Sequence, residues 1–408
     1  MHLTSELLAF LQTPKALAEL SSLTAHSIRD QDILPRLTRL RQEFSPVEAG
    51  ALLETAQLRQ RAVTKFGEDA QRMFFIREAL EQASDAKIRS WRAREAVSMG
   101  VKSIVDVCSS IGSDALAFAQ AHLDVLGIDK DTERVEIANL NASMLGLSSQ
   151  ARFVTADATE DWSQLLSTPT DMIFFDPARR VNDRRVYDVE KYQPPYSTIQ
   201  KWTHGSQFLK PNGVILSKVS PGVELDQLRP YGGRVDFISV EGDLKEADHW
   251  VMPHAEPFRT RAILIQASEV LTWESHDDLE AVVDAPRQWV CEPDPALIRA
   301  GLVRDVARHW NGAQMDDMIA YITTDVKPRS NWVRSWPILD WMPFQVKRLR
   351  AYLREHDIGE VVIKKRGTAV TPESLLPQLK LKGNRSVTLF LTRYKDKQIF
   401  IICGMEEK

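Results

Sequence analysis

Four short apolar runs, each closed by an aspartate, constrain most what this chain can fold into. Ser103-Ile-Val-Asp-Val-Cys108 is β-branched and carries Asp106 near its end; Leu123–Ile128 stops at Asp129. Ala151-Arg-Phe-Val-Thr-Ala stops at Asp157, and Asp171-Met-Ile-Phe-Phe stops at Asp176. Runs of this length, rich in β-branched and aromatic residues, suit buried strands. The first is followed by a turn of small residues, Ser109–Asp114, and an Ala-rich helical stretch, Ala115–His122. Strand, turn, helix and strand in repetition predict an α/β fold with a parallel sheet. Such sheets bind ligands outside the carboxyl ends of their strands, where these acids stand.

Asp176 is followed by Pro177, which cannot continue a sheet ladder, so the chain must turn there. The turn projects Asp176 into the crevice with Arg179 and Arg180 beside it, which suits a polyanionic substrate. Asp129 lies 17 residues after Gly112, a spacing that suits an acid taking ribose hydroxyls. In steps of two from Asp106 the positions are Cys108, Ser110 and Gly112, and the third alone is glycine. No diphosphate cradle follows the first strand, which argues against a nicotinamide dehydrogenase. Each residue also has a plain structural role open to it. Gly112 suits an ordinary tight turn, and Asp176 and Asp129 suit caps. Asp157 suits a solvated loop, and Asp114 suits the first turn of a helix.

Residues 100–265 resemble a class I S-adenosylmethionine-dependent methyltransferase. Three stretches carry the likeness: Asp106-x-Cys-x-x-x-Gly112-x-Asp114, Asn139-Leu-Asn-Ala-x-x-Leu-Gly146 and Asp176-Pro-Ala-Arg-Arg180. They resemble a bacterial group related to trimethylguanosine synthase-like RNA methyltransferases, whose members carry a C-terminal THUMP-like domain. Residues 292–304 and Val361–Gly367 resemble the tail of such proteins. The resemblance implies a Rossmann-like seven-stranded sheet and S-adenosylmethionine as cofactor. Asp106, Cys108, Ser110, Gly112, Asp114, Asp129, Asp157 and Ala158 would line the cofactor site, with Asp157 and Ala158 as the adenine-contacting pair. The substrate implied is RNA, with tRNA and rRNA the expected classes. Two departures stand out: the glycine loop is depleted, and Ala178 and Arg179 occupy places where relatives show proline and an aromatic residue.

The chemistry agrees with an acid–proline turn. An exocyclic base amine is a poor nucleophile, because its lone pair is delocalised into the ring. Asp176 and the Pro177 carbonyl accepting its two N–H groups would aim that lone pair at a methyl carbon, and Asp176 could take the departing proton. Tyr187 and Tyr192, with Tyr196, lie in the long loop after this turn and would supply the stacking surface that Ala178 lacks. A protein or small-molecule amine methyltransferase, or a silent RNA-binding module, is the alternative reading.

Leu7, Leu8, Leu11, Leu17, Leu20, Leu37 and Leu40 recur at helical spacing, and Ser45-Pro46 reads as a helix start, so residues 1–98 are expected as a helical domain. Residues 99–268 form the expected sheet domain. Its fifth strand is expected over Phe208–Ser217, and Val235–Val240 and Arg261–Gln266 as an antiparallel pair joined through Glu241–Thr260. Residues 269–408 read as an α+β tail. The chain carries a net charge of −4, yet Gln345 to Gln398 holds thirteen bases against five acids. Lys364, Lys365 and Arg366 stand in that segment as candidate phosphate contacts; a basic solvated face is the other reading. Three scattered cysteines support neither a disulfide framework nor a zinc site, and no metal is expected. The start of the chain lacks a basic segment before an apolar core, and no apolar run reaches membrane-spanning length, so a cytoplasmic protein is expected.

Overall fold

The computed structural model describes residues 3–181, 184–203, 207–252, 257–275, 280 and 282–406. The chain forms two compact units, one of residues 1–234 and 246–258, the other of 235–245 and 259–408. Residues 1–98, expected as a separate helical domain, fall in the first unit with the parallel strands. Among the described residues no helix is long and apolar enough to cross a membrane.

The first unit opens with six helices: α1 (Ser5–Leu11), α2 (Pro14–Thr24), α3 (Asp30–Leu40), α4 (Pro46–Phe66), α5 (Arg77–Gln82) and α6 (Ala86–Ser98). Their starts are written in the sequence. Thr4, Thr13 and Ser45 cap α1, α2 and α4, and Glu48 closes a capping box by accepting the Ser45 N–H at 2.8 Å. The parallel strands follow as β1 (Ser103–Val107), β2 (Asp124–Asp129), β3 (Ala151–Thr155) and β4 (Thr170–Phe175), with α7 (Ser113–Gln120) and α8 (Thr132–Met144) between them. From Asp243–Val251, which enters this unit at Glu246, the strands run Leu209–Val219, β4, β1, β2, β3. All are parallel except Asp243–Val251, which pairs antiparallel with Leu209–Val219 from Ala247 to Val251. The chain leaves β1 for β2 and β3 on one side, then crosses to β4 on the other. The carboxyl ends of β1 and β4 therefore flank a topological switch point.

Two asparagines of the Asn139–Gly146 stretch hold this frame. Asn139 exchanges hydrogen bonds with the backbone of Phe153, at 3.0 Å from its N–H and 2.9 Å to its carbonyl, and so extends the ladder on β3. Asn141 is fully buried; it accepts the Phe74 N–H at 2.7 Å and donates to the carbonyls of Phe74 and Ile111. One side chain thus ties the N-terminal helical region to the loop after β1.

The connection expected over Glu241–Thr260 is corrected by the structure, since Asp243–Val251 is itself a strand. Its charged residues mimic a solvated loop, but Glu246 and Asp248 are buried. Their partner is Arg92 of α6, whose side chain is wholly inaccessible. Its guanidinium reaches Asp248 at 2.8 and 2.9 Å, Glu246 at 2.9 Å and Asp114 of α7. Burial opposes the Glu246 charge, but Lys218 and Arg92 outweigh it and hold the carboxyl at about 2 against an ordinary 4.5. The stabilisation this gives is present above about pH 4.5 and is lost as the pH falls towards 2.

In the second unit Arg259–Gln266 and Glu269–Glu274 form an antiparallel hairpin, so the boundary expected between 268 and 269 falls at a hairpin turn. A separate seven-stranded sheet runs 313–314, 322–324, Trp289–Pro293, Val333–Pro343, Lys397–Cys403, Arg385–Tyr394, Ile358–Lys365. The last two strands are parallel, and the crossover between them carries the helix Pro372–Leu379.

Replacing Arg92 with Met removes the guanidinium that three buried carboxylates share. Removing one partner of a buried charge pair costs about 3–5 kcal/mol. Denaturant unfolding of Arg92→Met should show a loss of that size. A loss below about 1 kcal/mol would mean the guanidinium is dispensable.

Candidate active site

The loop after β1 keeps a glycine-type backbone without the glycines. Cys108 has φ 66° and Ser110 φ 51°, both in the left-handed region, as does Gly112 at 82°. A non-glycine residue held there stores about 1–3 kcal/mol, which surrounding bonds must over-determine. Those bonds are present. The Ser109 N–H donates to the Ile128 carbonyl at 3.0 Å, and the Ser110 N–H to Asp129 Oδ2 at 2.8 Å. Ser110 Oγ accepts from Arg134 of α8 at 3.1 Å. Gly112 is required for a second reason: a Cβ there would meet Phe153 Cζ at 2.8 Å.

Asp129, half-buried at the end of β2, holds the loop with one oxygen and accepts the Asp131 N–H at 3.0 Å with the other. Its capping role is therefore real, and each oxygen keeps a further lone pair for a ligand. Asp106 is buried at 1% exposure, and its Oδ1 has no hydrogen-bond partner among the described residues. Burial pushes its carboxyl well above the usual range, and Asp114 and Asp176 push the same way. Burial, then the charges of Asp129, Asp176 and Asp106, pushes the Cys108 thiol up, so it is not a poised nucleophile. Asp114, expected at the cofactor, has one oxygen in an internal ion pair with Arg92. Asp157 accepts the N–H and the hydroxyl of Thr159, both at 2.7 Å, and Ala158 beside it is buried.

Asp176 follows β4 directly, and its N–H donates to the Val107 carbonyl at 3.2 Å, which fixes it beside the β1 loop. Its Oδ2 takes a hydrogen bond from Lys218 Nζ at 2.6 Å. The Lys218 side chain is 2% exposed, whereas that of Asp176 is 27% exposed. Burial works against the ammonium, but Asp176, Glu246 and Asp114 outweigh it and hold Lys218 above the ordinary lysine value. The pair therefore presents a carboxylate with Oδ2 anchored by a buried ammonium and a side chain still partly open to solvent. Lys218 is the functional residue that the sequence reading missed. The signal was a lysine enclosed by Ser217 and Val219 in a run otherwise fit for a core strand.

The loop beyond Asp176 is only partly as expected. Pro177 is buried and Ala178 is exposed. Ala178 exchanges backbone hydrogen bonds with Gln193, at 2.9 and 3.0 Å. Arg179 commits one guanidinium nitrogen to the Val219 carbonyl at 2.9 Å. The side chain of Arg180 lies outside the described residues. Tyr187 is 51% exposed and stays available for stacking. Tyr192 is 1% exposed and its hydroxyl accepts the Ser220 N–H at 3.2 Å, so it packs the loop and offers no face to a base. Tyr196 is buried as well, with its hydroxyl 2.6 Å from His249 Nδ1. In the second unit, strand alternation splits the basic triplet. Lys365 is exposed, whereas Lys364 and Arg366 turn to Glu292 at 2.7 and 3.2 Å.

Residues 101–235 match the family described as RNA cap guanine-N2 methyltransferase. Residues 333–405 match a THUMP domain-like family, and residues 4–62 a domain of unknown function. Among solved structures, a protein of Porphyromonas gingivalis W83 provisionally described as a methyltransferase shares the fold. Its TM-score is 0.72 over 93% of this chain and 99% of its own, at 19% identity. An uncharacterised RNA methyltransferase of Thermosynechococcus vestitus is 31% identical over 108 residues, 26% of this chain and 23% of that one. Two proteins of Mycobacterium tuberculosis, from strains CDC 1551 / Oshkosh and ATCC 25618 / H37Rv, are named uncharacterised S-adenosylmethionine-dependent methyltransferases. Each is 30% identical over 350 residues, spanning 84% of this chain and 92% of its own. Likeness over that length, joined to a switch-point site with a strained loop after β1, makes the chain a member of their family, the S-adenosylmethionine-dependent methyltransferases.

Proposed function

We propose that the protein methylates a base nitrogen, an exocyclic amine, in RNA. The observation that carries this reading is the Lys218–Asp176 pair at the switch point, 2.6 Å apart, with its carboxylate half open beside the β1 loop. The likeness of residues 101–235 to RNA cap guanine-N2 methyltransferases and of residues 333–405 to THUMP domains supports RNA as the target. The relative named an RNA methyltransferase supports it too. A cytoplasmic setting belongs to the same proposal.

The residues present fit the cofactor. Asp106 keeps a buried oxygen without a partner, fit for a cationic amino group. Asp129 has lone pairs left for ribose hydroxyls, and the left-handed turns at Cys108 and Ser110 bring backbone close to a ligand. Asp157 and Ala158, after β3, complete the set. When bound, S-adenosylmethionine supplies an electrophilic methyl carbon on a sulfonium. The chain's own residues do the rest. Asp176 Oδ1 and the Pro177 carbonyl accept the amine's two N–H groups and so turn its lone pair outward. Lys218 holds one Asp176 oxygen in place through its ammonium, which makes orientation its main contribution. A carboxyl oxygen paired with a backbone carbonyl also selects substrates that donate hydrogen bonds, and amines do. The intact backbone of the β1 loop speaks against a silent module, because strain kept without glycine needs bonds that a decayed site would lose.

Binding of a cation beside Asp106 favours its ionised form, so cofactor binding should release a proton. Affinity should then rise with pH and fall as the pH drops below the raised Asp106 value. Calorimetry at about pH 8 and about pH 5.5, in buffers of different ionisation heat, reads both the affinity and the proton. Asp106→Asn should lose the dependence; equal affinity without proton release in the parent protein would take Asp106 out of the site. Asp129→Ala should weaken cofactor binding about tenfold or more, the worth of one charged hydrogen bond. An unchanged Kd in the folded variant would leave Asp129 a loop brace alone. Asp176→Ala should cut turnover by about 10²–10⁴-fold with the cofactor Kd nearly unmoved, and Asp176→Asn by less if orientation dominates. Parental turnover in folded Asp176→Ala would end the catalytic assignment.

A further inference from the structure

Glu292, 8% exposed in the strand Trp289–Pro293, gathers three cations where one would neutralise it. Arg334 reaches its Oε2 at 2.7 Å, Lys364 the same oxygen at 2.7 Å, and Arg366 its Oε1 at 3.2 Å. The cations come from two strands and the turn that follows one of them, so the convergence is tertiary. Their side chains are 57%, 22% and 34% exposed, so all three still reach solvent. Aromatic faces lie under them. Lys364 Nζ stands 4.6 Å above the Trp336 ring, and the Arg366 guanidinium 5.3 Å above Tyr321. The next acid, Asp294, caps a helix through the Ala296 N–H at 2.8 Å, and burial pushes its carboxyl up rather than down. It is a weak competitor for the excess charge.

A purely structural role for Glu292 needs one cation. Two more, half-withdrawn from water and near each other, repel without a second anion. A phosphate supplies that anion, and guanidinium groups match its geometry through paired N–H donors. We infer that Arg334, Lys364 and Arg366 form a phosphate clamp for RNA, with Glu292 as its internal counterion. The inference deepens the RNA reading above and rests on it for the source of the phosphate. Two surplus positive charges suit either one terminal phosphomonoester or successive backbone diesters. Lys365, on the same strand with the same charge, turns away and takes no part.

The test uses the full chain and a short single-stranded RNA labelled with fluorescein at its 3′ end, made with a 5′-phosphate or a 5′-hydroxyl. Binding is read by fluorescence anisotropy across a salt series. Arg334→Ala, Lys364→Ala and Arg366→Ala should each weaken binding about tenfold and lower the salt slope by about one. Lys365→Ala should change affinity less than about twofold. Glu292→Gln removes the ligand's competitor and should tighten binding. A preference for the 5′-phosphate assigns the clamp to RNA ends, and indifference assigns it to the backbone. Equal effects of Lys364→Ala and Lys365→Ala would overturn the clamp, as would weaker binding in folded Glu292→Gln. If the parent chain binds no RNA, the RNA reading fails by itself. The clamp is then judged by inorganic phosphate in thermal unfolding: protection lost in Lys364→Ala but kept in Lys365→Ala upholds it, and no protection overturns it.

Discussion

Charge buried away from the surface is the constraint on which the catalytic unit rests. Arg92 is wholly inaccessible, and the carboxylates of Asp114, Glu246 and Asp248 close around it from a helix and an antiparallel strand. Such a network adds little net stability over well-packed apolar residues, but it is intolerant of any missing member. Its consequence is positional. α6 cannot leave the sheet without withdrawing one guanidinium from three buried acids, so the N-terminal helices share the unit that holds the site. Lys218 extends the same logic to the surface. Glu246 and Asp114 both favour its charge, and its ammonium in turn fixes Asp176 Oδ2 at 2.6 Å, just past the carboxyl end of β4.

The β1 loop shows why a glycine motif can thin without losing its shape. Glycine relieves two separate costs, left-handed φ and the bulk of a Cβ. At Gly112 both apply, because φ is 82° and a Cβ would meet the Phe153 ring at 2.8 Å. At Cys108 and Ser110 the first cost is borne by side chains the structure accommodates. It is offset by fixed bonds from Asp129 and from Ile128 to the loop N–H groups, and by Arg134 to the Ser110 hydroxyl. Asp129 therefore has two tasks, and its role as a brace is what leaves it oriented for any ligand hydroxyl.

β1, β2 and β4 were legible because they bury almost every residue and read as short apolar runs, whereas β3 alternates buried Ala151 and Phe153 with more exposed residues. Helix starts were legible at Ser45-Pro46 because capping is local chemistry. What escaped is what depends on distant partners. Glu246 and Asp248 look like loop residues until Arg92, more than 150 positions away, is placed among them. Lys218 looks like the first solvated residue after a strand until Asp176 is set 2.6 Å from it. Tyr192 looked like a stacking ring because its sequence neighbours are polar, but burial is decided by Ser220 and the folded loop.

Charge counted along a sequence has the same blindness. The thirteen bases between Gln345 and Gln398 read as one basic face. Only two of them, Lys364 and Lys365, are neighbours in the strand Ile358–Lys365, and these adjacent lysines serve opposite sides. Lys365 faces water, where a cation is nearly free of consequence. Lys364 lies over an indole and against a carboxylate, where its charge shapes what can bind. The distinction rests on period two in a β-strand and on one glutamate contributed by another strand. Net charge thus describes how the chain meets solvent, and paired charge describes where it can hold an anion. The catalytic unit obeys the same rule with the signs reversed: Asp176 is informative because Lys218 lies beneath it.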